Sequence, residues 1–132
     1  MADIRKLWGT SQQKETEGVV HDLGNGVEVT VARNGNPKHA AALERLSKPY
    51  RGQINRGTLP KEKLEALSIE AMAEGLLLGW KGIELDGQAL EYTKANAVKV
   101  LTEFKDFREM ISSLAVDAAQ YREEEIVEAE KN

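Results

Sequence analysis

Pro60–Lys81 reads PKEKLEALSIEAMAEGLLLGWK, and the reading of this stretch decides the fold. Pro60 suits the opening of a helix, with Thr58 as its cap. Leu64, Leu67, Ala71 and Leu78 then fall on one helical face. Ile69, Met72, Ala73, Leu76, Leu77 and Trp80 widen that face until, by Gly75–Trp80, the segment is apolar nearly all round. The pattern predicts one long central helix over 60–81, with Gly75 and Gly79 four apart where another helix can approach closely.

On the N-terminal side lies Gly18-Val19-Val20-His21-Asp22-Leu23, then Gly24-Asn25-Gly26, then Val27-Glu28-Val29-Thr30-Val31-Ala32-Arg33. Val27, Val29 and Val31 alternate with polar residues at a period of two, and Asn-Gly supplies positive φ for a tight turn. A β-hairpin over 18–33 is predicted. Two strands alone are marginal in water, so the valine face must pack on helices or on another copy, and an exposed edge can pair with a neighbour. Pro37 behind Asn36 opens a helix over about 37–48, with Ala40, Ala41, Leu43 and Leu46 on one stripe, and Pro49 kinks or ends it.

C-terminal to Trp80, Ile83–Leu90 reads as a miniature hairpin or loop turned at Asp86-Gly87, and Thr93 caps a helix over about 94–104, with Ala97, Val98, Leu101 and Phe104 inward. Phe107, Ile111, Leu114, Ala118 and Tyr121 continue as an amphipathic stripe over 105–122. Residues 1–17 are polar and aperiodic apart from Leu7-Trp8. They are expected to form a flexible arm on which Trp8 either anchors a partner or packs back onto the domain. The acidic end, 123–132, carries Glu123, Glu124, Glu125, Glu128 and Glu130 and should fray against the helix dipole. The expectation is therefore a mainly α protein with an N-terminal β-hairpin, one compact helical domain of four to five helices spanning 18–122.

The chain has 132 residues, 41% hydrophobic, enough for one core without staples. With 18 Lys/Arg against 22 Asp/Glu the formal net charge is −4, which excludes a uniformly basic nucleic-acid-coating protein. Charge is uneven: residues 1–66 hold 11 basic against 8 acidic side chains, and residues 67–132 hold 7 against 14. Basic residues concentrate between Arg33 and Lys63, including Arg45 and Arg51. That asymmetry suits head-to-tail association, two different partners, or simply two solvated faces. There are no cysteines, so disulfide scaffolds, thiolate metal sites and a Cys nucleophile are excluded. No apolar run reaches the roughly 18 residues of a membrane span, and a soluble, intracellular protein without membrane association is expected.

Catalytic chemistry is hard to find in the residues. His21 and His39 lack metal-ligand spacing and suit surface or capping roles. None of the serines sits in a nucleophile elbow, and no phosphate loop occurs. A non-enzymatic protein with no catalytic residues, metal or cofactor is expected. A small nucleic-acid-binding regulator using the basic 33–63 segment stays open as the alternative, although the acidic remainder disfavours it.

Gly79-Trp80-Lys81-Gly82-Ile83, Leu85-Asp86-Gly87, and Leu90-Glu91-Tyr92-Thr93-Lys94-Ala95-Asn96-Ala97, with an amphipathic run from Leu101 through Phe107 to Ile111, form a recognisable order. This run, over about residues 75–125, resembles the tail assembly chaperones of long, non-contractile-tailed bacteriophages, in their short form. The resemblance implies an assembly factor that binds the tape measure protein, keeps it soluble and promotes polymerisation of the tail tube around it. It further implies action in the host cell cytoplasm, absence from the mature virion, and homo-oligomerisation. The tail-tube protein would be reached indirectly, through a longer form made by ribosomal frameshifting. Glu130-Lys131-Asn132 can be encoded across a slippery heptamer, in keeping with that idea. Gly79, Trp80, Asp86, Gly87, Tyr92, Thr93 and Asn96 carry the pattern, and structural jobs are expected of them. Trp8, Arg45, Arg51, Ile111, Leu114 and Tyr121 are the candidate partner-binding residues.

Overall fold

The computed structural model describes residues 1–123. The acidic end and the Glu-Lys-Asn terminus discussed above lie outside the described residues, apart from Glu123. Two short helices, α1 (Ile4–Trp8) and α2 (Gln12–Glu17), precede a hairpin of β1 (Val19–Gly24) and β2 (Val27–Val31). Helices α3 (Pro37–Ser47), α4 (Arg51–Arg56) and α5 (Lys61–Gly75) follow, with a 3-10 turn at Lys48–Tyr50 where Pro49 interrupts the α-helical ladder. Then come β3 (Leu77–Lys81), the two-residue strands β4 (Glu84–Leu85) and β5 (Gln88–Ala89), α6 (Lys94–Glu103), α7 (Lys105–Val116) and a 3-10 turn at Ala118–Tyr121.

The expected compact domain of four to five helices is incorrect, whereas the miniature hairpin at Asp86-Gly87 is present as the paired strands β4 and β5. The N-terminal hairpin exists, turned at Asn25 and Gly26 with both φ positive. It is, however, part of a three-stranded antiparallel sheet ordered β1-β2-β3, and a second small sheet pairs β4 with β5. The third strand comes from the stretch read as the end of a long helix. Helix α5 stops at Gly75, and Leu77–Lys81 pairs with β2, setting Val31 opposite Leu77, Thr30 opposite Gly79 and Val29 opposite Trp80. The register shifts between Thr30 and Val31, which leaves Leu78 as an extra residue on β3.

The helix ends where its last carbonyls find partners outside it, at a close crossing with α3 that only glycine permits. At Gly75 the chain passes so close to α3 that a Cβ would stand 2.5 Å from the Cα of His39. Asn36 fixes that junction from one buried side chain. Its amide nitrogen donates to the carbonyls of Arg33 (2.7 Å) and Gly75 (3.0 Å), and its Oδ1 accepts from the N–H groups of Lys38 and His39. With the Gly75 carbonyl held, the chain leaves the helix, and Ala32 N–H donates to the Leu76 carbonyl (2.8 Å) as pairing with β2 begins. An apolar run of five residues serves equally as a buried strand or a buried helical turn, so periodicity does not separate the two.

One face of the sheet packs on α5, α6 and α7. Val29, Val31, Met72, Leu76, Leu77, Leu101 and Ile111 are buried together there, with Trp80 at the margin. Residues 1–17, expected as a flexible arm, are helical in part and tied to the domain at several points. Arg33 meets Glu15 at 3.0 Å, Arg33 N–H donates to the Glu15 carbonyl, and Ser11 N–H donates to the Tyr121 carbonyl (2.8 Å). Thr10 also bridges Arg122.

Candidate docking groove

The apolar residues of the expected stripe divide between two surroundings. Ile111, Ala115 and Tyr121 are buried in the core. The Tyr121 hydroxyl lies 3.2 Å from the Val31 carbonyl and 3.3 Å from that of Leu114, and burial pushes its pKa up to about 12. Leu114 is half-buried against the same cluster. Of the candidates Ile111, Leu114 and Tyr121, the first and last therefore lie in the interior and Leu114 at its margin. Trp8 stands apart on α1 and is 63% exposed.

Arg45 and Arg51, on α3 and α4, are each answered within the chain. Arg45 pairs with Glu74 and Arg51 with Glu44. Lys94 adds a second cation 3.4 Å from Glu74, and the Arg45 hydrogen bond leads the causes that hold the Glu74 carboxyl below its ordinary range. These two candidate cations of the basic 33–63 segment are thus paired within the chain.

The seven family-pattern residues build one structural unit. Trp80 Nε1 donates to the Leu90 carbonyl (2.8 Å), and the Tyr92 hydroxyl donates to the Leu77 carbonyl (2.6 Å). Asp86 and Gly87, both at positive φ, make the turn between β4 and β5. The Thr93 hydroxyl accepts from Asn96 N–H (3.0 Å) at the start of α6, while Asn96 Nδ2 donates to the Glu91 carbonyl (2.8 Å). Gly79 lies on β3 opposite Thr30. Together these bonds lash the β4–β5 arm and the approach to α6 onto the third strand.

That lashing creates an open apolar groove of about 480 Å³. Leu23 and Val27, at the turn end of the hairpin, form one wall, and Leu85 of the small sheet with Ile83 and Leu90 flanking it extend that wall. Phe104, Phe107 and Met110, from the α6–α7 junction, form the opposite wall. Phe104 and Met110 are 40% and 45% exposed, so the groove presents large apolar side chains to solvent. The two charged residues that line it, Glu84 and Asp106, are both acidic. Its volume falls within the roughly 300–1,000 Å³ of sites that enclose apolar ligand groups. A larger hollow of about 600 Å³ lies beside α2, but Thr10, Gln13, Lys14, Glu17 and Glu123 give it a polar lining suited to water.

Sequence reasoning places Phe104 inward and does not single out Leu23, Ile83 or Met110. The one signal available is Met110 itself, three residues after Phe107 and four before Leu114, an apolar side chain that widens that stripe on one flank. Neither histidine faces the groove. His39 is buried at the start of α3, where its Nδ1 accepts from Gly35 N–H (3.0 Å), and burial lowers its pKa. His21, on β1, has a buried Nε2 with no protein partner among the described residues. Burial lowers its pKa, opposed by the nearby Asp117 carboxylate. Among the described residues no cluster of three or more His, Asp or Glu side chains could hold a metal ion, and no helix is long and apolar enough to cross a membrane.

The sequence model of the YdaY prophage protein family matches residues 34–132, three quarters of the chain. The chain belongs to the YdaY prophage protein family. It is thereby a phage-derived protein, which is the part of the resemblance to phage tail proteins that this membership supports. The YdaY match takes in α3 onward, including β3, the β4–β5 arm and the Phe104–Met110 wall of the groove, and leaves the hairpin and α1 outside it. No curated protein and no solved structure matches the chain.

Proposed function

We propose that this YdaY-family protein is a non-enzymatic assembly factor of a phage tail, one that holds the tape measure protein in soluble, extended form while the tail tube polymerises around it. The observation that carries the reading is the open apolar groove bounded by Phe104, Met110, Leu23 and Ile83. A long helical client displays apolar stripes that aggregate when uncovered, and a groove lined by exposed Phe and Met takes one face of such a helix. Each apolar side chain buried there contributes about 1.5–3 kcal/mol, most of which the cost of association offsets. A single groove therefore binds weakly and releases easily, and many copies along one client hold it through their number. This is what a factor displaced by tube subunits requires. In this reading it acts in the host cytoplasm and is absent from the finished virion, with tube subunits reached through a frameshifted longer form.

The test is co-expression with the long helical protein encoded by the same prophage. The wild-type chain should co-purify with that protein in the soluble fraction. Met110→Glu and Phe104→Glu, each placing a charge on an exposed groove position, should leave the chain folded and the client insoluble. A client equally soluble with and without the chain overturns the proposal.

A further inference from the structure

We infer that, before it meets a client, the groove receives helix α1 of a second copy of this chain, so that the protein associates head to tail. Helix α1 places Ile4, Leu7 and Trp8 at spacings of three and four, hence on one face. They are 73%, 46% and 63% exposed, and no residue of α1 is buried on its own chain. The helix is nonetheless held in place by its polar parts. Asp3 Oδ1 accepts from Arg5 N–H (2.9 Å), Arg5 lies 3.6 Å from Glu123, and Glu123 N–H donates to the Gly9 carbonyl (3.3 Å). The chain thus presents an ordered apolar face to solvent, with nothing of its own to cover it among the described residues.

That face and the groove match in kind and in charge. The face offers an indole and two branched aliphatic side chains, flanked by Lys6 and by Arg5, which stays 76% exposed beside Glu123. The groove offers Phe and Met walls with Glu84 and Asp106 as its charged residues. One molecule cannot satisfy itself. The segment that leaves α1 is tied down where Thr10 bridges Arg122 and Ser11 bonds Tyr121, whose hydroxyl reaches Val31, so α1 joins the domain at the Val19–Val31 end of the sheet. The groove lies at the Gly24–Val27 end, one strand length away, roughly 17 Å at about 3.3 Å per residue. The residues between α1 and β1 are taken up by α2 and its bonds to Arg33. The occupant must come from another copy.

Because the two surfaces differ, the contact is heterologous and repeats, closing as a ring or continuing as a filament. Three anchoring side chains make a small interface of the weak, reversible class, and the opposed charges make it sensitive to salt. The inference shares its groove with the client reading above, and a client helix would displace α1.

The test is the solution mass of the full chain by light scattering and sedimentation, from low to high concentration and at low and high salt. Ile4→Glu/Trp8→Glu spoils the face and Met110→Glu spoils the groove. All three positions are exposed in the single copy, and circular dichroism and thermal unfolding check that both variants fold. Wild type should grow in mass with concentration, less so at high salt, and each variant alone should remain monomeric. Mixing the two variants should yield a pair and nothing larger, because only one intact face meets one intact groove. A wild type monomeric throughout, growth that survives either variant, or a mixture that stays monomeric overturns the inference. The client reading fails separately, since Ile4→Glu/Trp8→Glu should lose self-association while still carrying the helical client into the soluble fraction.

Discussion

The Trp80 indole stands edge-on to the Tyr92 ring, centroids 5.0 Å apart and planes at 88°. Each ring also spends its polar atom on a backbone carbonyl, Trp80 on Leu90 and Tyr92 on Leu77. Burial holds the Tyr92 phenol above its ordinary pKa, in keeping with a hydroxyl committed as a donor. The pair fastens the β4–β5 arm to β3 and so shapes one wall of the groove.

Removing this fastening should be felt in stability and in the groove together. Trp80→Ala should cost about 3–5 kcal/mol and Tyr92→Phe about 1 kcal/mol, the worth of one hydrogen bond. A double-mutant cycle with Trp80→Ala and Tyr92→Ala should return a coupling of about 0.5–1.5 kcal/mol. Urea unfolding of the four proteins measures it, and a coupling near zero would mean that the ring contact contributes nothing beyond burial.

Two glycines four residues apart should respond oppositely to the same methyl group. At Gly75 a Cβ meets the Cα of His39 at 2.5 Å and its backbone nitrogen at 2.8 Å, atoms that cannot swing aside. Gly75→Ala should therefore destabilise by about 1–3 kcal/mol or more, as overpacking does. At Gly79 the nearest atom is Thr30 Oγ1 at 3.8 Å, an ordinary contact, and Gly79→Ala should stay within about 0.5 kcal/mol of wild type. Equal urea midpoints for the two variants would contradict the packing described at the α3–α5 junction.

Acid should weaken the fold before carboxylates begin to protonate. Burial lowers the folded pKa of both His39 and His21, so below the unfolded value of about 6.5 the unfolded chain binds more protons. Their contribution is complete above that pH and is lost as pH falls from there through the lowered folded values. Protonating His39 also removes the Nδ1 lone pair that accepts from Gly35. The urea midpoint should drop between pH 7.5 and 5.5, and His39→Gln, which keeps an acceptor but does not titrate, should flatten the slope. A wild-type midpoint constant over that range would show that neither imidazole is linked to folding.

The hairpin is legible in the sequence because its signals are local: three valines at period two, and Asn25-Gly26 supplying the turn. The end of α5 is not legible, because the groups that take the Gly75 and Leu76 carbonyls there, the Asn36 side chain and the Ala32 N–H, stand about forty residues earlier in the chain. Leu76, Leu77, Leu78 and Trp80 are apolar in either conformation and carry no period that distinguishes a strand. The groove is hidden for a similar reason. Leu23, Ile83 and Met110 read separately as unremarkable core candidates, and only the sheet's third strand brings the hairpin tip, the β4–β5 arm and the α6–α7 junction together.

The central strand β2 has neighbours at very different distances along the chain. Its bond to β1 closes through a two-residue turn, whereas Val29 finds Trp80 only after three intervening helices have been made. During synthesis the hairpin is complete early, while the flank of β2 that belongs to β3 stays unpaired until residue 81 has emerged. Loop-closure entropy makes that second pairing the slow one. For that interval the nascent chain carries an open β edge beside Val29 and Val31, the kind of surface through which partly made chains associate wrongly. A protein proposed to shield another chain's apolar surface thus passes, in its own making, through a stage with the same need.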